Sequence, residues 1–154
     1  MGEILNLPVY HLDRLYWKPN WVSTSSDEWE SILGKILAEP EWIMDGNYGA
    51  TMDLRLAACD TVVFLDLPRW LCVWRVMKRF LTYRCRCRPD MTEGCEEKLD
   101  LTFFLWIWRY RKDKRPQILA KLARLEKEKS VHILESRLMV RKFLESLTVT
   151  NQSD

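Results

Sequence analysis

Residues 61–80 read TVVFLDLPRWLCVWRVMKRF, and their reading decides the fold class. Thr61 to Leu65 is β-branched and apolar without interruption, and the run stops at Asp66-Leu67-Pro68. A strand with no polar alternation is buried on both faces, as in a parallel sheet covered by helices. A basic helix follows, from about Arg69 to Tyr83.

The same alternation of short apolar strand and helix extends outward in both directions. Upstream, Glu3-Ile4-Leu5 reads as a last helical turn broken by Asn6-Leu7-Pro8, and Val9 to Leu12 reads as a strand ending in Asp13. Ser25 opens a capping box with Glu28. Behind it Trp29, Ile32, Leu33, Ile36 and Leu37 form one helical stripe that Glu39-Pro40 ends. Trp42 to Asp45 is a brief strand closed by Gly46, and residues 50–58 make a short helix. Downstream, helices are expected at about 97–110 and 115–129, a last strand at 131–134, and a closing helix at 137–147. The outcome is one α/β domain over 1–148 with a parallel sheet, an insertion around 84–97, and a polar tail at 149–154.

Composition narrows the function classes. The chain has 154 residues, 47% of them apolar, with eight Trp, which argues for a folded domain with a real core. A formal charge of +2 does not announce a nucleic-acid binder. No signal peptide opens the chain, and the longest apolar run, Leu101 to Trp108 around Thr102, is too short to span a bilayer. A cytoplasmic location without a membrane partner is expected. Five cysteines, odd in number and irregularly spaced, suit free thiols. Cys85, Cys87 and Cys95 lack the usual zinc spacing and a neighbouring His.

Two features carry chemistry. Three strands end in a carboxylate, Asp13, Asp45 and Asp66, and ligands of open parallel sheets bind beyond the strands' carboxyl ends. A carboxylate there suits magnesium, which prefers oxygen ligands and keeps its waters; for each Asp alone, capping the following turn is the plainer role. The second feature is basic. No acid occurs from Arg69 to Arg88, while Arg69, Arg75, Lys78, Arg79, Arg84, Arg86 and Arg88 all do. Arg109, Arg111, Lys112, Lys114 and Arg115 make a second cluster. Guanidinium groups match phosphate oxygens in a bidentate way, although a charge run is also how a solvated face looks. Trp70, Trp74, Phe80 and Tyr83 are interleaved with the first block, and they read better as aromatics packing the helix onto the sheet than as stacking platforms for bases.

HLDRLYWKPNW, WIMDGNY, DLRL, FLDLPRWLCVWRVMKR and RPDMTEGCEEKLD together resemble the bacterial DNA topology modulation protein family, adenylate-kinase-like P-loop NTPases, from Met1 to about Leu147. The resemblance implies a three-layer parallel sheet of strand order 2-3-1-4-5 with a mobile lid. It implies ATP and Mg2+ as cofactors and phosphoryl transfer to a small-molecule acceptor. Asp45 falls where such kinases keep the magnesium-side acid, and Asp13 where several present a substrate- or metal-side carboxylate. Arg75 and Arg79 match lid arginines that close on phosphates, and Arg109 an arginine on the helix after the lid. The catalytic expectation is therefore Asp13, Asp45, Arg75 and Arg79, with Arg75, Arg79 and Arg109 toward the nucleotide and Asp45 toward the metal.

One departure from the pattern is plain. Family members begin with a strand and a GxxxxGK[ST] loop, and no such loop occurs here; Gly34-Lys35 is followed by Ile36. That loop supplies backbone N–H donors, a lysine and a magnesium-side hydroxyl. The chain is therefore expected to be an N-terminally shortened, catalytically impaired relative of these kinases. Two strand edges, at 42–45 and 61–66, would then be left open, at roughly 1–3 kcal/mol for each unsatisfied buried group. The alternatives are a nucleic-acid-associated protein and a non-catalytic remnant acting through a partner that completes its sheet.

Overall fold

The computed structural model describes residues 1–83, 88, 91–96 and 100–150. Arg84, Cys85, Arg86 and Cys87, with half of the expected lid in all, the start of the helix expected at 97 and the end of the polar tail lie outside the described residues. The chain is mixed α/β, mostly helical, with small parallel sheets. It divides into two compact units. The first comprises residues 1–58, 83–97 and 143–154, and the second residues 59–82 and 98–142.

In the first unit the opening turn α1 (Gly2–Leu5) ends at Asn6, whose φ of 53° is the left-handed conformation that Asn tolerates. Strand β1 (Val9–His11) leads directly into α2 (Leu12–Tyr16). A small antiparallel pair follows, β2 (Trp17–Lys18) with β3 (Val22–Ser23), joined through Pro19-Asn20-Trp21. Helix α3 (Ser26–Leu37) starts where the capping residue places it, with the Ser25 hydroxyl accepting the Glu28 N–H at 3.4 Å. Strand β4 (Ile43–Asp45) pairs in parallel with β1: Val9 opposite Ile43, Tyr10 opposite Met44, His11 opposite Asp45. A 3-10 turn at Gly49–Thr51 opens α4 (Met52–Ala58). The helical stripe read from the sequence is the core. Leu12, Trp29 and Leu33 are buried together, with Leu15, Tyr16, Ile32, Met44 and Tyr48 packed around them.

In the second unit β5 (Thr61–Leu65) pairs in parallel with β6 (Ser130–Leu134) over five residues. Helices α5 (Arg69–Tyr83), α6 (Leu101–Asp113) and α7 (Arg115–Leu125) lie between them in sequence. Helix α8 (Arg137–Thr150) follows β6 and runs from the second unit into residues assigned to the first. The side chains of Leu71, Ile107, Ile118, Leu122 and Leu134 are buried. Helix α6 begins at Leu101 because Asp100 caps it, its carboxylate accepting the Thr102 N–H at 2.8 Å. Helix α7 stops four residues before the expected end. The N–H groups of Glu128 and Lys129 both turn back to the Leu125 carbonyl, and Lys129 Nζ donates to the Cys59 carbonyl at 2.6 Å, which delivers the chain into β6 beside β5.

Each parallel pair stands as a separate two-stranded sheet, so among the described residues β4 pairs only with β1 and β5 only with β6. Two expectations need correction. Strand β1 ends at His11, so Asp13 lies one residue inside α2 rather than at a strand terminus. Trp70 and Trp74 do not pack α5 onto the sheet: both are more than half exposed, while Leu71 supplies the inward contact.

Candidate functional site

The register of β1 and β4 builds the site. Because the two strands run parallel and stop together, His11 and Asp45 emerge side by side at the carboxyl end of the pair. His11 Nδ1 lies 3.1 Å from Asp45 Oδ2, and both side chains are open to solvent, Asp45 at 71%. The turn after Asp45 has to be glycine. Gly46 has φ +148°, and a Cβ there would come within 2.8 Å of the Leu12 Cβ. That approach lets the 45–48 loop fold down onto the start of α2.

A second side-chain pair reinforces this rim. Tyr48 Oη donates to Asp13 Oδ1 at 2.8 Å. Burial first, then the Asp13 carboxylate beside it, push the Tyr48 phenol far above its ordinary pKa, so it stays a donor. Arg55, one turn into α4, donates from Nη1 to the Gly46 carbonyl at 3.1 Å and from Nη2 to the Tyr48 carbonyl at 2.8 Å. The loop carrying Asp45 is thus fixed from three directions. Behind it the rings of Tyr16, Trp29 and Tyr48 meet with centroids 4.8–5.2 Å apart, a rigid floor for a polar edge.

Of the residues expected at the site, the structure ties the segments bearing Asp13 and Asp45 to one rim. Arg75 and Arg79 lie on α5 and Arg109 on α6, all in the second unit. Arg75 and Arg109 are exposed, whereas Arg79 is half-buried with its guanidinium 5.8 Å from the centre of the Phe103 ring. The third acid, Asp66, is a structural group. Arg115 holds it through Nε at 2.7 Å and Nη2 at 2.6 Å, and only 7% of the Asp66 side chain meets solvent.

The segment that the family likeness makes a lid is, over residues 91–96, tied to α2 and the following turn. Thr92 Oγ1 donates to the Arg14 carbonyl at 2.7 Å and Cys95 Sγ to the Lys18 carbonyl at 3.3 Å. The Asn20 N–H donates to the Gly94 carbonyl at 3.2 Å, and Trp21 Nε1 to the Glu96 carbonyl at 3.1 Å. Met91 and Cys95 are buried. Gly94, with φ +84°, makes the turn that puts its carbonyl within reach of Asn20.

His11, Tyr48 and Arg55 are the site residues that sequence reasoning missed. His11 and Tyr48 stand inside stretches already singled out, VYHL and WIMDGNY. Nothing in the sequence gives the register that sets His11 opposite Asp45. No protein-family model, curated protein or solved structure matches this chain.

Among the described residues no three His, Cys, Asp or Glu side chains gather into a metal cage. An exposed carboxylate at a strand end fits the other magnesium mode, in which one or two carboxylates act through the ion's waters and substrate phosphates supply the remaining oxygens. Asp45 has the chemistry and the exposure for that mode.

Proposed function

We propose that this chain binds a magnesium-bearing phosphate ligand at the carboxyl rim of the β1–β4 pair, as a relative of adenylate-kinase-like phosphotransferases. The observation that carries the reading is the in-register ending of two parallel strands at His11 and Asp45, since ligands of open α/β sheets sit beyond strand carboxyl ends. The pairing of the strands supports it as well. An order 2-3-1-4-5 places its second strand beside its third and its fourth beside its fifth, a pattern of two parallel pairs like that of β1 with β4 and β5 with β6.

In this reading Asp45 would hold the magnesium ion, and His11 orients the Asp45 carboxylate from across the ladder. Tyr48 fixes Asp13, and Arg55 holds the loop that carries both Asp45 and Tyr48. When bound, magnesium neutralises charge on the phosphate oxygens. The sequence has no GxxxxGK[ST] loop. Preorganised backbone donors are the larger part of catalysis in phosphoryl transfer.

Calorimetry with ATP, with and without magnesium, tests the reading. Weak, magnesium-dependent binding that disappears in Asp45→Asn is the expected result. Heat that is unchanged by EDTA, or by Asp45→Asn, removes Asp45 from the site, and no binding at millimolar nucleotide ends the proposal.

A further inference from the structure

Helix α5 carries an apolar stripe on the wrong side for a core. Trp70, Trp74, Met77 and Leu81 follow the i, i+4, i+7, i+11 spacing that puts them on one face. They are 67%, 51%, 39% and 68% exposed. The stripe runs about 17 Å along the helix at 1.5 Å per residue. The inward contact comes from Leu71, on another face. Single exposed apolar residues are ordinary, but four aligned on one helix are a surface.

The charge on this helix has one sign. Arg69, Arg75, Lys78 and Arg79 belong to α5, and the helix holds no acid. Lys78 Nζ stands 5.4 Å from the centre of the Trp74 ring, and the guanidinium of Arg137, at the start of α8, stands 5.9 Å from it. Arg69 lies over the Trp108 ring at 4.1 Å. Tryptophan rings flanked by cations, with aliphatic side chains beside them, form the pattern of a helix lying in the interfacial layer of a membrane. Among the described residues no helix is long and apolar enough to cross one.

We propose that the outward face of α5 docks on an anionic lipid bilayer, with Trp70, Trp74, Met77 and Leu81 turned to the acyl boundary and Arg69, Arg75 and Lys78 at the phosphate level. Charge complementarity selects an anionic partner. Three features select lipid among anionic partners. Met77 and Leu81 have no ring on which a base could stack, yet they make half of the stripe. The Trp74 ring already carries Lys78 and Arg137 where a base would lie. A second copy of the same face would set like charges against one another. The proposal is independent of the rim of β1 and β4, which is in the other unit.

Co-sedimentation of the full chain with vesicles tests it. Phosphatidylcholine vesicles containing about a third phosphatidylglycerol should bind the chain at least about tenfold better than phosphatidylcholine alone, and rising salt should weaken the binding. Trp70→Ala with Trp74→Ala should cost about tenfold or more, because the buried apolar area drives insertion. Leu81→Asp, at the most exposed position of the stripe, gives the same loss by a route that leaves both rings in place. It keeps the test decisive if the double variant does not fold. Binding indifferent to lipid charge, or unchanged in a folded variant, overturns the proposal. So does a dimer that the same substitutions dissolve, or single-stranded DNA that binds the face while vesicles do not.

Discussion

Strands β4 and β5 each run into an aspartate, Asp45 and Asp66, and each strand lies beside a single parallel partner among the described residues. Asp45 is 71% exposed and meets an imidazole across the ladder. Asp66 is 7% exposed and takes one guanidinium hydrogen bond and a second ion-pair contact onto one oxygen, Oδ2. The residue type and its place at a strand end are shared, yet one carboxylate faces solvent and the other is locked into its unit. The partner makes the difference. Arg115, at the start of α7, reaches Asp66, while Asp45 is followed by a glycine turn whose carbonyls Arg55 holds and which keeps the carboxylate outside. An acid at a strand terminus becomes a candidate ligand site only when no neighbouring element neutralises it.

The largest expected effect breaks this comparison most directly. Asp66→Ala leaves Arg115 only its longer 3.5 Å contact with Glu135 and should cost about 2 kcal/mol, below the cost of breaking a fully buried pair because Arg115 is partly open to solvent. Urea unfolding reads it. Replacing both partners, Asp66→Leu with Arg115→Met, should recover most of that loss, because an apolar pair of similar volume avoids the desolvation of two charges. A double variant as unstable as the single would mean that the ion pair itself, rather than the stranded charge, carries the stability.

Tyr48→Phe comes next. It removes the hydrogen bond to Asp13 and should cost about 1 kcal/mol. The pH dependence sharpens the point. The folded phenol is raised above its ordinary value of 10.0. The native state therefore holds that proton more tightly than the unfolded chain, and the associated stability is complete below about pH 10 and lost above it. Unfolding followed from pH 9 to 11 should show a steeper alkaline loss in the wild type than in Tyr48→Phe. Equal slopes would show that Asp13 does not hold the phenol in solution.

Asp45→Asn should have the smallest effect on stability, within about 0.5 kcal/mol, as for a solvent-exposed group. A cost matching that of Asp66→Ala would erase the distinction between the two strand ends. A near-neutral change in stability together with lost magnesium-dependent nucleotide binding is the combination that marks a ligand residue rather than a structural one.

Much of the fold was legible in the sequence because it depends on short-range patterns. The Thr61–Leu65 run reads as a buried strand, and Ser25 with Glu28 marks the start of α3. The Trp29–Leu33–Ile36 stripe reads as a core, and all three side chains are buried. Less of the site was legible. Asp45 ends its strand as read, but Asp13 lies inside a helix, and the importance of His11 and Tyr48 comes from partners 34 and 35 residues away. Asp66 looked equivalent to Asp45 because the residue that neutralises it stands 49 positions downstream. Trp70 and Trp74 read as packing α5 onto the sheet, and turn outward, for a related reason. Helical periodicity shows that Trp70, Trp74, Met77 and Leu81 share a face, but not which face the neighbouring elements cover.

By itself the sequence determined the alternation of strand and helix, the caps, the apolar periodicity and the segregation of basic residues, all set by steric and hydrogen-bonding preferences within a few residues of each position. Only the tertiary structure decided which strands lie in register, which carboxylate is paired and which remains open to water, and which apolar face turns outward. Those outcomes depend on distant groups competing for the same contacts, and burial and pairing free energies arise only once the chain has brought such groups together.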